Sequence, residues 1–345
     1  MAEKQRIEYI DLIKGITIVL VMYYHCPVPE DNHAMMMLSY TRIPTYVFLS
    51  GLFFSTYDSF KQFVVKKTNR YIIPLVFFVA FALITLPLHY NGLNLNEFKS
   101  FVYDIVVNGS IERLNGPIWF LEMLVWLSLF SYAIDTLLKD KTKVLKASLC
   151  IIISLIAFTL NDIVSQYEYN SFLAILFIYN IKLPAALIFL PTFYIPHLFR
   201  TQILCYHKPR LLYTGLPITL IVLYLCADST IIHSICKYNI SYPRFFIGQF
   251  AGIYSIFVIG YVIKRLPFFS FVGRYSIIVL GTHMLVKQFF IFYLNITDPY
   301  ILFAILVVTA PICILVIKQY FPHFTAQKDL LKLSPDGKLK ISFKD

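Results

Sequence analysis

Ten apolar runs of membrane-spanning length recur along the 345-residue chain and limit what it can fold into. Each is close to the ~20 residues that cross the hydrocarbon core of a bilayer as a helix. Backbone groups in lipid must be hydrogen-bonded within the chain, which favours helices. The sequence therefore predicts an all-α, polytopic integral membrane bundle of about ten transmembrane helices. The predicted spans are 8–26, 42–57, 71–89, 117–137, 147–164, 183–200, 211–227, 244–263, 275–292 and 299–317.

The composition supports a membrane environment. Hydrophobic residues make up 58% of the chain and charged residues 14%, whereas soluble domains carry about 25% charged residues. A soluble protein of this size lacks the interior volume to bury so much apolar surface. The net charge of +11 alone would suit nucleic acid, but the basic residues lie in short clusters between apolar runs. We therefore expect membrane lipids, and no nucleic acid, among its partners.

The distribution of Lys and Arg predicts the orientation. With the N-terminus inside, 22 of the 30 basic residues fall in cytoplasmic segments and seven in outer ones, while Lys14 lies in the first helix. Positive residues collect in short cytoplasmic loops, so both termini are predicted to be cytoplasmic in a multi-pass inner (plasma) membrane protein. We expect one membrane domain over 1–321 and a short polar cytoplasmic tail over 322–345. The apolar stretch 172–181 is too short to cross alone and is interpreted as interfacial or re-entrant.

The first helix carries ionisable residues, which are functional candidates at membrane depth. Lys14 and His25 are 11 residues apart, so they share one helix face with an offset of about 20° and a rise of about 16 Å. This polar stripe would link the cytoplasmic mouth to the far half of the bilayer. Simpler interpretations remain open: Asp11 and Lys14 have the i, i+3 spacing of an interfacial salt bridge, and His25 can be an ordinary polar helix end.

Polar residues also interrupt later helices. Arg42 would lie near His25 across a short hairpin, where it contacts either a polar acceptor or a lipid headgroup. Trp119 suits an interfacial aromatic belt. Glu122 falls inside the fourth helix, where a bare carboxylate is costly. It either pairs with His25 or Arg113 or reaches interfacial water.

Two further features each have a structural and a functional interpretation. His283 lies in the middle of the ninth helix, as a hydrogen-bonded structural residue or as a catalytic one. The loop with Lys66, Lys67 and Arg70 is a positive cytoplasmic cluster that would also serve as an anion clamp for phosphates. The six cysteines form neither a CxxC pair nor a metal-ligand spacing, so we expect no metal site.

Several of these residues belong to a wider pattern along the chain. Its elements are Asp11-x-x-Lys14-Gly15-Ile16 with His25; Phe48, Ser50 and Gly51; Lys67-x-x-Arg70 with Pro74; Gly116-Pro117-Ile118-Trp119; and Gly273-x-x-Ser276 with His283. The pattern resembles the acyltransferase-3 family of membrane acyltransferases, with Lys67 where the family has Arg. The resemblance covers essentially the whole chain, and its N-terminal third is the most specific part.

The resemblance implies a fold and an activity. Family members have ten core helices and move acetyl, or sometimes succinyl or other acyl groups, onto hydroxyls of cell-surface glycans. Their donor is cytoplasmic acyl-CoA, a substrate rather than a bound cofactor. The family's essential pair maps to Lys14 and His25, and its donor-side basic pair to Lys67 and Arg70. The branch most similar to this chain is that of the fucose 4-O-acetylases.

The predicted function is therefore membrane-embedded O-acyl transfer, most simply acetyl transfer, from acyl-CoA to a hydroxyl of a cell-surface or lipid-linked sugar. A general base must remove the hydroxyl proton, and a cation or donor must stabilise the oxyanion. Direct transfer and an acyl-histidine intermediate are both open. The candidates are His25 as base, Lys14 as electrostatic partner, Glu122 and His283 as further catalytic residues, Lys67 and Arg70 for the donor, and Arg42 and Trp119 for the acceptor.

Two alternatives belong to other classes. Ten helices divide into 5 + 5, as in secondary transporters with inverted repeats. Lys14-Gly15 would interrupt the first helix, and Pro191 and Pro196 the sixth, its counterpart. Against this, the two halves show no visible similarity, and the sixth helix has no counterpart of Lys14 and His25. A non-catalytic scaffold in a glycan-assembly complex would not require His25.

Overall fold

A helix matches each of the ten predicted spans in the structure, a computed structural model. It describes residues 7–27, 32–86, 94–106, 111, 114–165, 182–205, 209–227, 231–233, 236–334 and 336–343. The helices are α1 Glu8–Tyr24, α2 His33–Ser39, α3 Arg42–Leu52, α4 Phe60–Lys67, α5 Ile73–Ile84, α6 Leu95–Val106, α7 Trp119–Leu137, α8 Lys143–Ser165, α9 Leu183–Leu198, α10 Arg200–Leu204, α11 Pro209–Cys226, α12 Tyr242–Ile263, α13 Pro267–Arg274, α14 Ser276–Leu294 and α15 Pro299–Tyr320. A π-helix, Thr68–Ile72, joins α4 to α5, and a 3-10 turn, Gly116–Ile118, precedes α7.

The apolar helices confirm an all-α polytopic membrane protein. Within the described residues, six helical stretches are long and apolar enough to cross a bilayer, and Leu183–Leu198 and Tyr213–Cys226 are shorter apolar helices. The exposed side chains of α8 and α15 are largely Ile, Leu and Val, as expected for surfaces that face lipid. The six stretches are Phe60–Ile84, Gly116–Leu137, Lys143–Ile163, Tyr242–Ile263, Ser276–Leu294 and Pro299–Tyr320.

Glycines bring helices into backbone contact. A Cβ atom added to Gly15 of α1 would lie 1.8 Å from the Phe269 carbonyl oxygen of α13. From the other helix, a Cβ atom added to Gly273 of α13 would lie 1.9 Å from the backbone carbonyl oxygen of Asp11 in α1. At Gly51 of α3 the same test gives 1.7 Å to a backbone oxygen of α9. Small residues at such crossings let helices pack closely in a membrane.

The helix interruptions that the transporter alternative requires are not observed. The α1 helix continues through Lys14 and Gly15 without a break. The α9 helix also remains helical although it contains Pro191 and Pro196. The stretch 172–181, interpreted from sequence as re-entrant, lies outside the described residues.

Two short hairpins complete the described structure. Strands β1 (Ile231–Ile232) and β2 (Lys237–Tyr238) pair antiparallel, as do β3 (Leu331–Leu333) and β4 (Leu339–Ile341). The second hairpin belongs to the segment expected to form a polar tail. It packs against α4, and the preceding turn buries His323 and Thr325.

We expect Gly51→Ala to destabilise the α3–α9 contact by about 1–3 kcal/mol or more, because the added methyl group meets backbone that cannot rotate away. The control is Gly116→Ala, since a Cβ there meets no atom within 4 Å. Thermal unfolding of the purified proteins in detergent measures both. Equal midpoints for the two variants would contradict the observed packing.

Candidate active site

A cavity of about 370 Å³ opens between α1, α3, the π-helix, α7, α13 and α14. Its volume is in the range of small-molecule binding sites. Both Lys14 and Arg70 line it, whereas Lys67 does not. The polar lining side chains are Lys14, Tyr46, Ser50, Tyr57, Lys66, Asn69, Arg70, Tyr71, Arg274, Ser276, Gln327 and Asp329.

Positive charge dominates this cavity. Its lining residues include four cations, Lys14, Lys66, Arg70 and Arg274, and a single carboxylate, Asp329. Lys14 lies on the wall formed by α1, and the Tyr46 hydroxyl donates to its carbonyl oxygen at 2.7 Å. A cleft with several cations in low-dielectric walls attracts anions and can hold phosphate groups.

The basic residues predicted to lie in a loop are helical: Lys66 and Lys67 end α4, and Arg70 lies in the π-helix. Their side chains have different surroundings. Lys67 is 6% exposed, and its Nζ lies 4.4 Å from the ring centroid of Phe54, 5.4 Å from that of Tyr71 and 5.8 Å from that of Tyr57. This aromatic cage stabilises the buried ammonium group through cation–π interactions. The exposed Lys66 instead lines the cavity. Both lysines lie in α4, where neighbouring residues point about 100° apart, so the two side chains enter different surroundings.

Two histidines meet at the predicted outer end of α1. His25 caps the helix, and its backbone N–H still bonds to the Val21 carbonyl oxygen at 3.2 Å. The ring centroid of His25 lies 5.3 Å from that of His283 on α14. The sequence nominated both residues separately, and the fold brings them together.

The hydrogen bonds of His283 indicate its tautomer. Its Nδ1 lies 2.8 Å from the Val279 carbonyl oxygen, which can only accept, so Nδ1 carries the proton. In a neutral imidazole the other nitrogen, Nε2, is then a proton acceptor. That Nε2 is buried and has no hydrogen-bond partner within the described chain. It is therefore chemically suited to accept a proton from a bound group.

Two cations accompany the histidines. Arg42 is 3% exposed and stacks on Tyr24, with 3.2 Å from Cζ to the ring centroid. Its Nη1 is buried and unpaired as far as the chain is described. Lys287 donates from Nζ to the His25 carbonyl oxygen at 2.9 Å. Sequence reasoning missed Lys287, although its i, i+4 spacing from His283 places both on one helix face.

Glu122 and Trp119 lie on α7 but not among the cavity-lining residues. The Oε2 atom of Glu122 is buried, and the described residues offer it no hydrogen-bond partner. Arg113, one partner considered for it, lies outside the described residues. Trp119 is 6% exposed and packs in the hydrophobic core rather than at a lipid interface. The proposed roles of both residues stay predictions.

The cavity ends close to the histidine pair. Val21 and Leu280 line its far end, and they precede His25 and His283 by four and three residues on the same helices. At 1.5 Å per residue these separations are about 6 Å along α1 and about 4.5 Å along α14. The site thus combines an anion-binding cavity with a pair of imidazoles about one helical turn beyond it.

These features define a polytopic helical membrane protein with a cationic pocket beside a candidate acid–base pair. A family model described as an acyltransferase domain (Acyl_transf_3) matches residues 7–318. The chain belongs to this acyltransferase-3 family, as the sequence pattern predicted. No curated protein and no solved structure matches it.

Because Lys67 is caged and Lys66 is exposed, the two amines should react differently with a water-soluble acetylating reagent. We expect Lys66, whose side chain is 57% exposed, to be modified at least about tenfold faster than Lys67, since modification requires access to water. Peptide mass spectrometry of the briefly labelled protein gives both rates, and the exposed Lys139 serves as reference. Equal rates would place Lys67 in the open cavity instead.

Proposed function

We propose that this acyltransferase moves an acyl group, most simply acetyl, from acyl-CoA to a hydroxyl of a cell-surface or lipid-linked sugar. The observation that carries the proposal is the cationic cavity that ends about one turn short of two adjacent histidines. Each end of this path suits one of the two substrates.

The cavity suits the donor because coenzyme A carries several phosphates at one end and the acyl thioester at the other. Lys66, Arg70 and Arg274 lie in segments predicted to be cytoplasmic, and Lys14 lies further along α1. Charge-assisted hydrogen bonds from such cations are the usual means of holding phosphate. The apolar far wall, with Ile18, would accept the less polar arm that leads to the acyl group.

The histidine end suits the acceptor. Lys14 is about 16 Å from His25 along α1, so its charge serves the donor side and not an oxyanion beside the histidine. Two cations lie on this side: Lys287, whose Nζ donates to the His25 carbonyl oxygen, and Arg42, which stacks on the neighbouring Tyr24. The unpaired Nη1 of Arg42 is a donor that can stabilise an oxyanion or a sugar oxygen in a buried site.

The proposed step is an attack on the thioester carbonyl carbon by the sugar hydroxyl oxygen. His25 takes the hydroxyl proton as general base, a new C–O ester bond forms, and the C–S bond breaks. The coenzyme A thiolate leaves and receives the proton. His283, with Nε2 free to accept, stands beside His25 and can share this proton.

His25→Ala should lower acyl transfer by about 10²–10⁴-fold, the usual contribution of a general base. Mass spectrometry of cell-surface and lipid-linked glycans would compare cells with wild type, His25→Ala and no protein, at matched protein abundance. His33→Ala is the matched control, because that ring bonds to the Tyr224 carbonyl oxygen away from the cavity. If glycans from cells without the protein carry as many acyl groups as glycans from wild-type cells, the proposed glycan acceptor is wrong.

Arg70→Ala should raise the KM for acetyl-CoA by about tenfold with little effect on kcat, because a bond to a charged phosphate contributes about 1.5–3 kcal/mol. Initial rates in nanodiscs at varied acetyl-CoA measure this. Arg265→Ala removes an equivalent charge at an exposed position outside the cavity and should leave KM unchanged. If kcat fell while KM held, Arg70 would not be a donor-binding residue.

A further inference from the structure

The C-terminal segment forms part of the cavity wall. Ala326, Gln327 and Asp329 line the cavity beside Lys66 of α4 and Arg70 of the π-helix. All three lie beyond residue 318, where the match to the acyltransferase family ends. The backbone of Ala326 has a φ of 56°, a left-handed conformation that residues with a side chain adopt at a cost. The segment that completes the cavity wall therefore contains one residue, Ala326, with a strained backbone conformation.

Asn69 fastens this segment to the π-helix. Its Oδ1 accepts from the backbone N–H groups of Leu330 and Leu331 at 2.9 and 2.8 Å. Its Nδ2 donates to the Leu331 carbonyl oxygen at 2.8 Å. The Asn69 side chain is only 2% exposed. These hydrogen bonds replace the bonds to water that its amide loses on burial. Since Arg70 follows directly, the donor-side cation and the C-terminal segment share one support.

Asp329 places a carboxylate where an anion would bind. One of its oxygens lies 2.5 Å from the Lys66 Nζ. It is the only carboxylate among the lining residues, which include four cations. A phosphate group that enters the cavity would find the Lys66 ammonium group already paired with the Asp329 carboxylate.

We propose that residues 322–333 form part of the donor site. In this site the Asp329 carboxylate pairs with Lys66 until a phosphate group of the donor displaces the carboxylate. The identification of that donor as acyl-CoA rests on the function proposed above. The exchange makes and breaks no covalent bond. Asp329 is therefore a positioning residue that sets affinity for phosphate-bearing ligands.

The test is the affinity of Asp329→Asn for coenzyme A and for inorganic pyrophosphate, by calorimetric titration of the full chain in nanodiscs. An exposed ion pair is worth up to about 1 kcal/mol, so both Kd values should fall by about two- to fivefold. Asp336→Asn is the matched control, since Asp336 pairs with Lys338 at 3.6 Å in the following turn and does not line the cavity. Its Kd values should equal those of wild type.

The outcomes separate the two proposals. If pyrophosphate binds more tightly to Asp329→Asn but coenzyme A binds to neither protein, the donor assignment fails and the role of Asp329 stands. If both ligands bind wild type and Asp329→Asn with equal affinity, or bind the variant more weakly, the exchange proposed here is overturned. The labelling rate of Lys66 provides a check without ligand: it should rise in Asp329→Asn and not in Asp336→Asn.

Discussion

The backbone contact between α1 and α13 decides where the charged groups of the site lie. Gly15 and Gly273 allow the contact, and each stands next to a cavity cation, Lys14 and Arg274. Two like charges brought together in a partly buried site repel each other. The Oδ2 atom of Asp11 lies 3.8 Å from the Arg274 Nε and offsets part of this repulsion. The remaining positive charge favours an anionic ligand.

The same helices separate the two chemical tasks. Lys14 and His25 share α1 but are 11 residues apart, so one helix contributes to both the cationic cavity and the histidine pair. On α14, Ser276 lines the cavity and His283 meets His25 two turns later. A rigid helix fixes these distances better than a loop does. The distance between the cationic cavity and the histidine pair is therefore set by helix geometry.

Sequence patterns were sufficient for the helices and for part of the site. Hydrophobic runs of bilayer length located the spans, because length and composition are local properties. The helical period predicted Lys14 and His25 on one face; in the structure Lys14 lines the cavity and His25 lies beyond it, at the end of α1. No pattern in the basic loop could assign Lys66 to the cavity and Lys67 to an aromatic cage. That difference depends on the rings of Phe54, Tyr57 and Tyr71, which surround Lys67 in the folded chain.

Tertiary contacts also explain the other surprises. Trp119 has the position of an interfacial residue in the sequence, yet it is buried because α7 packs into the core. The segment 322–333 is polar and Lys-containing, which in isolation indicates a solvated tail. It docks through several contacts that no local pattern shows: Asn69 satisfies three of its backbone groups 261–262 residues away, Phe324 stacks on Phe77, and Asp329 pairs with Lys66.

The match to the family ends at residue 318, before the docked C-terminal segment begins. The matched region, 7–318, contains the histidine pair, Lys14 and Arg70, so the residues to which we assign the transfer lie in the shared domain. The cavity mouth also uses residues that follow this region. In the proposed exchange, the Asp329 carboxylate lowers the affinity for phosphate by competing for Lys66, away from the histidine pair. Under this proposal, donor affinity depends on the C-terminal segment as well as on the helices to which we assign the reaction.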